Sequence, residues 1–473
     1  MRNLSLLTDL YQLTMMEAYY KNGTDKSTAV FDLFFREKNE INFAVFAGLQ
    51  QAIEYIKNMH FTDEDINYLK SLNTFSDDFL EKLKKLKFTG DIYSVLEGTV
   101  VFPSEPILIV KAPLLEAQFI ETALLNIINH QTLIATKAAR VRFAAKDGVF
   151  LEFGLRRAQG PDAGIYGTRA SVIGGCDATS NVLAGKMFDI PVKGTHAHSF
   201  VMSFPDEITA FRAYACTYPD SCMLLLDTYD TLKSGLVNAI TVFKELKEKG
   251  YKPYGIRLDS GDIAYLSKVI RKKLDENDLR EVKICASGDL DEESITSLLN
   301  QGAKVDIWGV GTKLITSENM PSLGGVYKLA AIYEKGKSKP VIKISDNASK
   351  VTIPGEKVIY RLYSNDNMAQ ADLICLSDEV LDENNPLTIF HPIDTWKKTV
   401  LTDFYAKKLH IKIFEKGKLV YNMPSLKQIR EFNEQEMNTF WNEYKRLDNP
   451  HIYKVDLSEK LFNLKTKLLN KEF

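Results

Sequence analysis

Between residues 149 and 311, short apolar runs alternate with longer amphipathic stretches. The runs are VFLEFGL (149–155), CMLLLD (222–227), YGIRLD (254–259), KICASG (283–288) and KVDIWGVG (304–311). Each is too short for a helix and ends in a turn bearing Gly, Asp or Arg, as a buried strand does. Helical spacing follows at 163–174, 178–188, 206–216, 234–249, 261–275 and 291–301. Repeated strand, turn and helix imply parallel strands joined by right-handed crossovers. Five or six such units favour a β/α barrel, or an incomplete one, over an open sheet.

The flanks have other rhythms. Leu10 to Lys21 has helical spacing, with Thr8 or Asp9 as the expected cap. Residues 28–35 (TAVFDLFF) read as a strand, and Gly90 to Pro113 as a small sheet broken by Gly and Pro. Leu114 to Lys146 reads as one long helical region. After about residue 326, VYKLAAIYEKG and KPVIKIS look like antiparallel strands around a Gly turn. Beyond about 380 the chain is rich in Lys, Glu, Asn and aromatics, with a helical pattern at 425–447. The organisation expected is an α/β sandwich part over 1–135, a catalytic β/α barrel over 136–325, strands returning to the sandwich over 326–385, and a small, polar, helical C-terminal region over 386–473.

Composition narrows the function classes. The 473 residues include 60 basic and 62 acidic ones, a net charge of -2, which argues against a general nucleic-acid surface. Hydrophobic residues make up 45%, yet no apolar run approaches the ~20 residues that span a bilayer. Met1 to Asp9 lacks the features of a signal peptide. Cys176, Cys216, Cys222, Cys285 and Cys375 form no CxxC pair and read as reduced thiols, Cys285 as a buried strand residue. A soluble, cytoplasmic protein with no membrane partner is expected.

Polar residues gather where the strands end, which is where barrel enzymes carry their chemistry. Arg156 and Arg157 follow VFLEFGL and suit a carboxylate or phosphate clamp, or a plain surface pair. Asp177-Ala178-Thr179-Ser180-Asn181 enters a helix, either as an anion site or as an ordinary N-cap. Lys193-Gly194-Thr195-His196-Ala197-His198-Ser199 holds two histidines, the side chain suited to exchanging protons or phosphoryl groups near neutral pH. Only one of the two is expected to face a pocket. Arg257-Leu258-Asp259 places two charges on one strand face, and Asp259 or Asp262 offers oxygen ligands for Mg²⁺, with Ser260 as the expected helix cap. Two glycine turns, Ser287-Gly288-Asp289 and Gly309-Val310-Gly311-Thr312, offer backbone N–H groups to a phosphate.

Taken together, these stretches resemble the nicotinate phosphoribosyltransferase family. The likeness is carried by LLTDLYQLTMMEAY (6–19), FDLFFRE (31–37), FAVFAGL (43–49), EFGLRRAQGPDAG (152–164), IGGCDATSNVLAG (173–185), GTHAHSFVMSFPDE (194–207), YPDSCMLLLDTYDTLKSG (218–235), GIRLDSGD (255–262) and WGVGTKLITS (308–317), with RLDNPHIYKVDLS (446–458) in the tail. The resemblance implies a type II phosphoribosyltransferase fold and a homodimer whose active site lies at the subunit interface. It implies joining nicotinate to phosphoribosyl pyrophosphate, with Mg²⁺, in a ligase-type reaction coupled to ATP hydrolysis through a phosphorylated histidine. His198 matches that histidine and His196 does not. Phe153, with Tyr11 of the neighbouring subunit, matches an aromatic sandwich for the pyridine ring, and Arg156 the arginine near its substituent. Arg257 and Asp259 match residues holding the phosphoribosyl unit. Gly288, Gly311 and Thr312 match the 5′-phosphate site, and Arg36 of the neighbouring subunit a further phosphate contact.

Within Thr179-Ser180-Asn181-Val182, Ser180 stands where the acid and amide enzymes of this type differ, and Thr179 beside it is a further candidate for substrate binding. Related nicotinamide enzymes carry aspartate at the position of Ser180. A carboxylate there accepts from an amide NH₂ and repels an acid, whereas a hydroxyl donates to the acid. Ser180 with Arg156 therefore favours nicotinate. A nicotinamide-specific enzyme, a binding protein without turnover and a scaffold are the other readings. Intact Arg156, His198, Arg257 and Asp259 argue against a decayed enzyme.

Overall fold

The computed structural model describes residues 3–36 and 42–470. The chain forms two compact units, Ile134–Pro321 on one side and Met1–Leu133 with Ser322–Phe473 on the other.

Unit Ile134–Pro321 is built on six strands: β1 (Val149–Glu152), β2 (Ala178–Thr179), β3 (Met223–Leu225), β4 (Gly255–Leu258), β5 (Lys283–Ser287) and β6 (Ile307–Val310). Their spatial order is β2-β1-β6-β5-β4-β3, and every pairing is parallel. Leu151, Ala178, Met223, Cys285 and Ile307 form one buried cluster on one face, with Phe153 packed against it. The alternate residues Phe150, Leu224, Ile256, Ile284 and Trp308 are also buried. Burial on both faces explains why these strands read as continuous apolar runs.

The first strand pairs with the last, Val149 opposite Ile307 through Glu152 opposite Val310. The order is therefore circular, but it does not close: β2 and β3 share no pairing among the described residues. The ladder is an open parallel sheet, and the closed form of the expected barrel is not present. Next to β2 runs a short extended segment, where Thr179 N–H donates to Pro191 O (3.1 Å) and Lys193 N–H to Thr179 O (2.9 Å). Beside β3, His196 Nε2 accepts the Leu225 N–H at 3.3 Å, so a side chain does what a strand partner would do.

The helices of this unit begin where short polar side chains cap them. Asn181, Asp206, Asp262 and Asp291 each accept a backbone N–H from the first turn. Asn181 explains a difference from the helical pattern expected over 178–188: Ala178–Thr179 is strand, and the helix is Val182–Phe188. Asp262, not Ser260, caps the helix Ile263–Glu276.

The other unit holds a seven-stranded antiparallel sheet and a mixed six-stranded sheet. Strand Thr28–Phe35 lies inside the former, between Gly325–Glu334 and Leu108–Pro113. Gly325–Glu334 and Lys337–Pro340 form the expected hairpin. The long helix expected over 114–146 is two, Leu114–Phe119 and Glu121–Ala145, interrupted at Ile120. Asp9 stands at the start of helix Leu10–Lys21 without capping it, because its carboxylate accepts from Thr122 Oγ1 instead. The region after 386 is not chiefly helical. It contributes the strands Leu387–Phe390, Lys398–Leu401, Phe404–Lys408, Ile411–Glu415, Lys418–Leu419 and Lys454–Leu457, besides helices at Leu426–Asn438, Asn442–Lys445 and Glu459–Leu469. In the mixed sheet, strand Lys357–Ser364 carries the buried Arg361, whose guanidinium donates to both oxygens of Asp372, to Glu436 and to Val100 O. Among the described residues no helix is long and apolar enough to cross a membrane. All five cysteines are free, Cys285 buried in β5 as expected.

Candidate active site

The ends of β3, β4 and β5 and the segment 195–198 converge on one polar cluster. Arg257, near the end of β4, donates through Nε to Ser287 Oγ (2.8 Å), through Nη1 to Thr195 Oγ1 (3.1 Å) and through Nη2 to Asp259 Oδ1 (2.6 Å). A guanidinium fork with three partners in three directions is fixed in orientation, as a lysine would not be. Ser287, the last residue of β5, donates to Asp259 Oδ1 in turn. Burial pushes the Asp259 carboxyl upward, but the Ser287 hydroxyl and the Arg257 charge outweigh it and hold it below the usual range. Asp259 is therefore an anion at neutral pH.

His198 opens the short helix His198–Met202. Its Nδ1 lies 3.1 Å from Thr228 Oγ1, and its Nε2 is 4.0 Å from Asp259 Oδ2, with 41% of the side chain exposed. One ring nitrogen is held and the other looks out over a carboxylate. His196 differs in every respect. It is 7% exposed, its Nε2 accepts from Leu225, and burial pushes its pKa down to about 4. Alternation along a strand would have sent both histidines to one face. They separate because the backbone is irregular here, extended at Ala197 and helical from His198.

Glu152, the last residue of β1, organises the neighbouring turns. It is fully buried and accepts from Gly154 N–H, Thr168 Oγ1 (3.0 Å) and Thr179 Oγ1 (2.6 Å), and burial raises its pKa. Thr179 is thereby committed to the support of the turn: its hydroxyl also accepts from Asn181 N–H. Ser180 is half-buried, donates its N–H to Glu152 O, and keeps a hydroxyl with no partner among the described residues. Asp177 binds Arg142 and Phe150 N–H, so Ser180, not Asp177, is the free polar group of this turn. Arg156 sits exposed on the turn Leu155–Arg157. The Phe153 ring lies so close over Gly309 that a Cβ there would come within 2.7 Å of it, and the Arg257 guanidinium is 5.8 Å from its centre.

The two glycine turns follow neighbouring strands, β5 and β6, as expected. Gly288 has φ +90°, and a Cβ would meet Asp259 O at 2.3 Å, so only glycine fits. Gly311 precedes the short helix Thr312–Ile315, which Thr312 begins. Asp262 spends Oδ1 on capping Tyr265 N–H. Tyr11 and Arg36 belong to the other unit. Tyr11 is 48% exposed, and Arg36 Nε is buried with no partner among the described residues.

Two members of the cluster had no role in the sequence reading. Asp227 follows the run CMLLL as Asp259 follows YGIRL, and that shared position was the available signal. Asp227 Oδ2 accepts from Asp259 N–H (3.2 Å) and Ser260 Oγ, while Oδ1 is buried without a partner among the described residues. Thr228, the next residue, is the partner of His198.

Comparison with known proteins identifies the family. The nicotinate phosphoribosyltransferase N-terminal domain matches residues 6–129, the nicotinate phosphoribosyltransferase family residues 149–376, and the C-terminal domain of the same enzymes residues 356–465. The nicotinate phosphoribosyltransferase of Bacillus subtilis (strain 168) is 52% identical over 99% of this chain and 96% of its own. That of Dictyostelium discoideum is 39% identical over 97% and 87%. The crystal structure of human nicotinic acid phosphoribosyltransferase superposes with a TM-score of 0.85 at 32% identity, covering 98% of this chain and 100% of that one. Matched in sequence along nearly its whole length and in fold, the chain belongs to the nicotinate phosphoribosyltransferase family.

Proposed function

We propose that the chain joins nicotinate to phosphoribosyl pyrophosphate, giving nicotinate mononucleotide and pyrophosphate, and couples this to ATP hydrolysis through phosphorylated His198. The observation that carries the reading is the convergence of Arg257, Asp259, Ser287 and His198 beside Phe153. The circular strand order is read as an irregular β/α barrel left open between β2 and β3. The setting is cytoplasmic NAD salvage.

The pyridine nitrogen is itself the nucleophile, so the residues orient and manage charge. Phe153 presents one face to the ring, and Tyr11 of the partner subunit the other, aligning the nitrogen lone pair with the ribosyl carbon. Arg156 and the free Ser180 hydroxyl bind the carboxylate. Arg257 and Asp259 bind the phosphoribosyl unit, and Gly288, Gly311 and Thr312 its 5′-phosphate, with Arg36 of the partner subunit as a further phosphate contact. Positive charge grows on the ribosyl carbon as pyrophosphate leaves, and the ionised Asp259 stabilises it.

The residues present fit Mg²⁺. Asp227 Oδ1 is buried and unpartnered, and Asp259 Oδ2 carries no hydrogen bond of its own. Among the described residues no group of three or more His, Cys, Asp or Glu could hold a metal ion by itself, so an ion here would take its other ligands from pyrophosphate oxygens and water. When bound, Mg²⁺ supplies charge neutralisation to the leaving group. Asp227 and Asp259 would hold it, and Asp262, spent on its cap, would not.

For ATP coupling, a ring nitrogen of His198 attacks the γ-phosphorus, and the bond to ADP breaks. Water later cleaves the phosphohistidine. Thr228 holds Nδ1, which leaves Nε2 to react. Purified chain with nicotinate or nicotinamide, phosphoribosyl pyrophosphate, Mg²⁺ and ATP should form mononucleotide from the acid, together with ADP. His198→Asn should abolish ATP stimulation while slow ATP-independent transfer survives. Full coupling in that variant rules out the role given to His198.

A further inference from the structure

Ser180 is flanked on both sides by residues of one buried hydrogen-bond circuit. Thr179 Oγ1 donates to Glu152 Oε2 (2.6 Å) and accepts from Asn181 N–H (2.9 Å). Asn181 Nδ2 donates to Thr168 Oγ1 (3.2 Å), which lies 3.0 Å from the same Glu152 oxygen. Glu152, Thr179, Asn181 and Thr168 thus close a circuit, and all four are buried. The other oxygen of Glu152 accepts from Gly154 N–H, and its backbone O accepts from Ser180 N–H at 3.0 Å.

The residues assigned to the pyridine acid stand beside this circuit in sequence. Phe153 follows Glu152, Arg156 lies just beyond Gly154, and Ser180 sits between Thr179 and Asn181. The strand ladder gives little help in placing them. β2 is two residues long, and its pairing with β1 covers only Leu151 with Ala178 and Glu152 with Thr179. Burying a carboxyl group is costly, and an apolar side chain would avoid the cost. No cation acts on Glu152 to offset it. What the carboxyl group gives in return is a satisfied polar network, and such a network fixes one geometry.

We propose that Glu152 is a positioning residue for substrate selection. Through the circuit it sets where the Ser180 hydroxyl stands relative to Phe153, and so how well the site holds the carboxylate of a pyridine acid. The inference rests on the nicotinate reaction proposed above and extends it to a side chain too buried to touch substrate.

Steady-state kinetics on the full chain tests it with Glu152→Gln, Thr168→Val and Thr168→Ser. A glutamine cannot accept at its NH₂ end. Whichever way the amide turns, Gly154 N–H or the Thr179 hydroxyl loses its acceptor. KM for nicotinate should rise about tenfold in Glu152→Gln, while KM for phosphoribosyl pyrophosphate stays at the parent value. Thr168→Val keeps the shape and removes the hydroxyl, so it should raise KM for nicotinate about threefold or more. Thr168→Ser, which keeps the hydroxyl, should not. A merely structural role would reduce the folded fraction, which lowers the apparent kcat and leaves both KM values alone. Unchanged KM for nicotinate in Glu152→Gln overturns the inference, as does an equal rise in both KM values. Should Glu152→Gln fail to fold, the Thr168 pair decides, and equal KM for nicotinate in its two variants overturns the inference. A parent chain that does not turn over nicotinate overturns the reaction itself and the inference with it. An active parent with unaffected variants overturns the inference alone.

Discussion

Ser180 is the residue on which, in the function proposed, acid and amide substrates part. Among the described residues its hydroxyl is the polar group of 177–181 that the fold has not already used: Thr179 serves Glu152, Asp177 serves Arg142, and Asn181 caps a helix. A free hydroxyl donates to a carboxylate, while a carboxylate at the same place repels it and accepts from an amide. Ser180→Asp should lower kcat/KM for nicotinate by about 100-fold and raise that for nicotinamide, since sites that mismatch a polar group discriminate strongly. Steady-state kinetics with both substrates decides it. An unchanged ratio means that Ser180 does not read the ring substituent. The candidates themselves were legible in the sequence: Arg257, Asp259 and Ser180 stand at strand ends, and His198 lies in a recognisable string that opens a short helix. Asp227 and Thr228 were not, because nothing in their own stretch says that one atom stays unpaired or that a distant imidazole needs a partner.

At the scale of elements, the gap in the sheet is the informative feature. Where β3 lacks a strand neighbour, the neutral His196 ring takes the Leu225 N–H. Burial pushes its pKa down to about 4, while an unfolded histidine titrates near ~6.5. Between those values the unfolded chain binds a proton that the folded one refuses, so stability falls as pH drops from about 6.5 toward 4. The full loss is on the order of 3 kcal/mol, and about 2 kcal/mol of it is reached by about pH 5. Protonation also removes the acceptor from Leu225. Hydrogen-exchange protection of the Leu225 amide should therefore fall as pH is lowered from about 6 through about 4, beyond the drop at other β3 amides. In His196→Gln, whose side-chain carbonyl accepts without titrating, it should fall much less. Equal pH dependence in both proteins removes the role given to His196. The elements themselves were legible in proportion to their burial. Parallel strands covered on both faces read as clean apolar runs. The antiparallel strands after residue 386 did not, because exposed residues such as Lys398, Lys407 and Lys408 give them a polar, helix-like composition. The break at Ile120 was hidden because apolar residues continue through it on both sides.

For the whole molecule, the chain order matters. The unit bearing His198 is inserted into the other, whose N-terminal and C-terminal parts close around one seven-stranded sheet. Tyr11 and Arg36 lie in that other unit, Tyr11 exposed and Arg36 with a nitrogen unpartnered among the described residues, and the proposed function draws both from a second subunit. If each active site joins Tyr11 of one subunit to Arg257 of its partner, two inactive variants can repair each other. Tyr11→Ala and Arg257→Ala should each be nearly inactive alone. Unfolded together and refolded, about half of the dimers are mixed. In a mixed dimer one of the two sites receives both intact residues, so ~25% of the native activity should return. In a mixed dimer whose sites draw both residues from one chain, every site keeps one lesion, and no activity returns. Refolding each variant by itself controls for reactivation, and the ratio of variants tunes the yield, with the maximum expected at equal amounts. A flat, inactive profile across that ratio would leave the site within one subunit and remove Tyr11 from the partner's pyridine pocket.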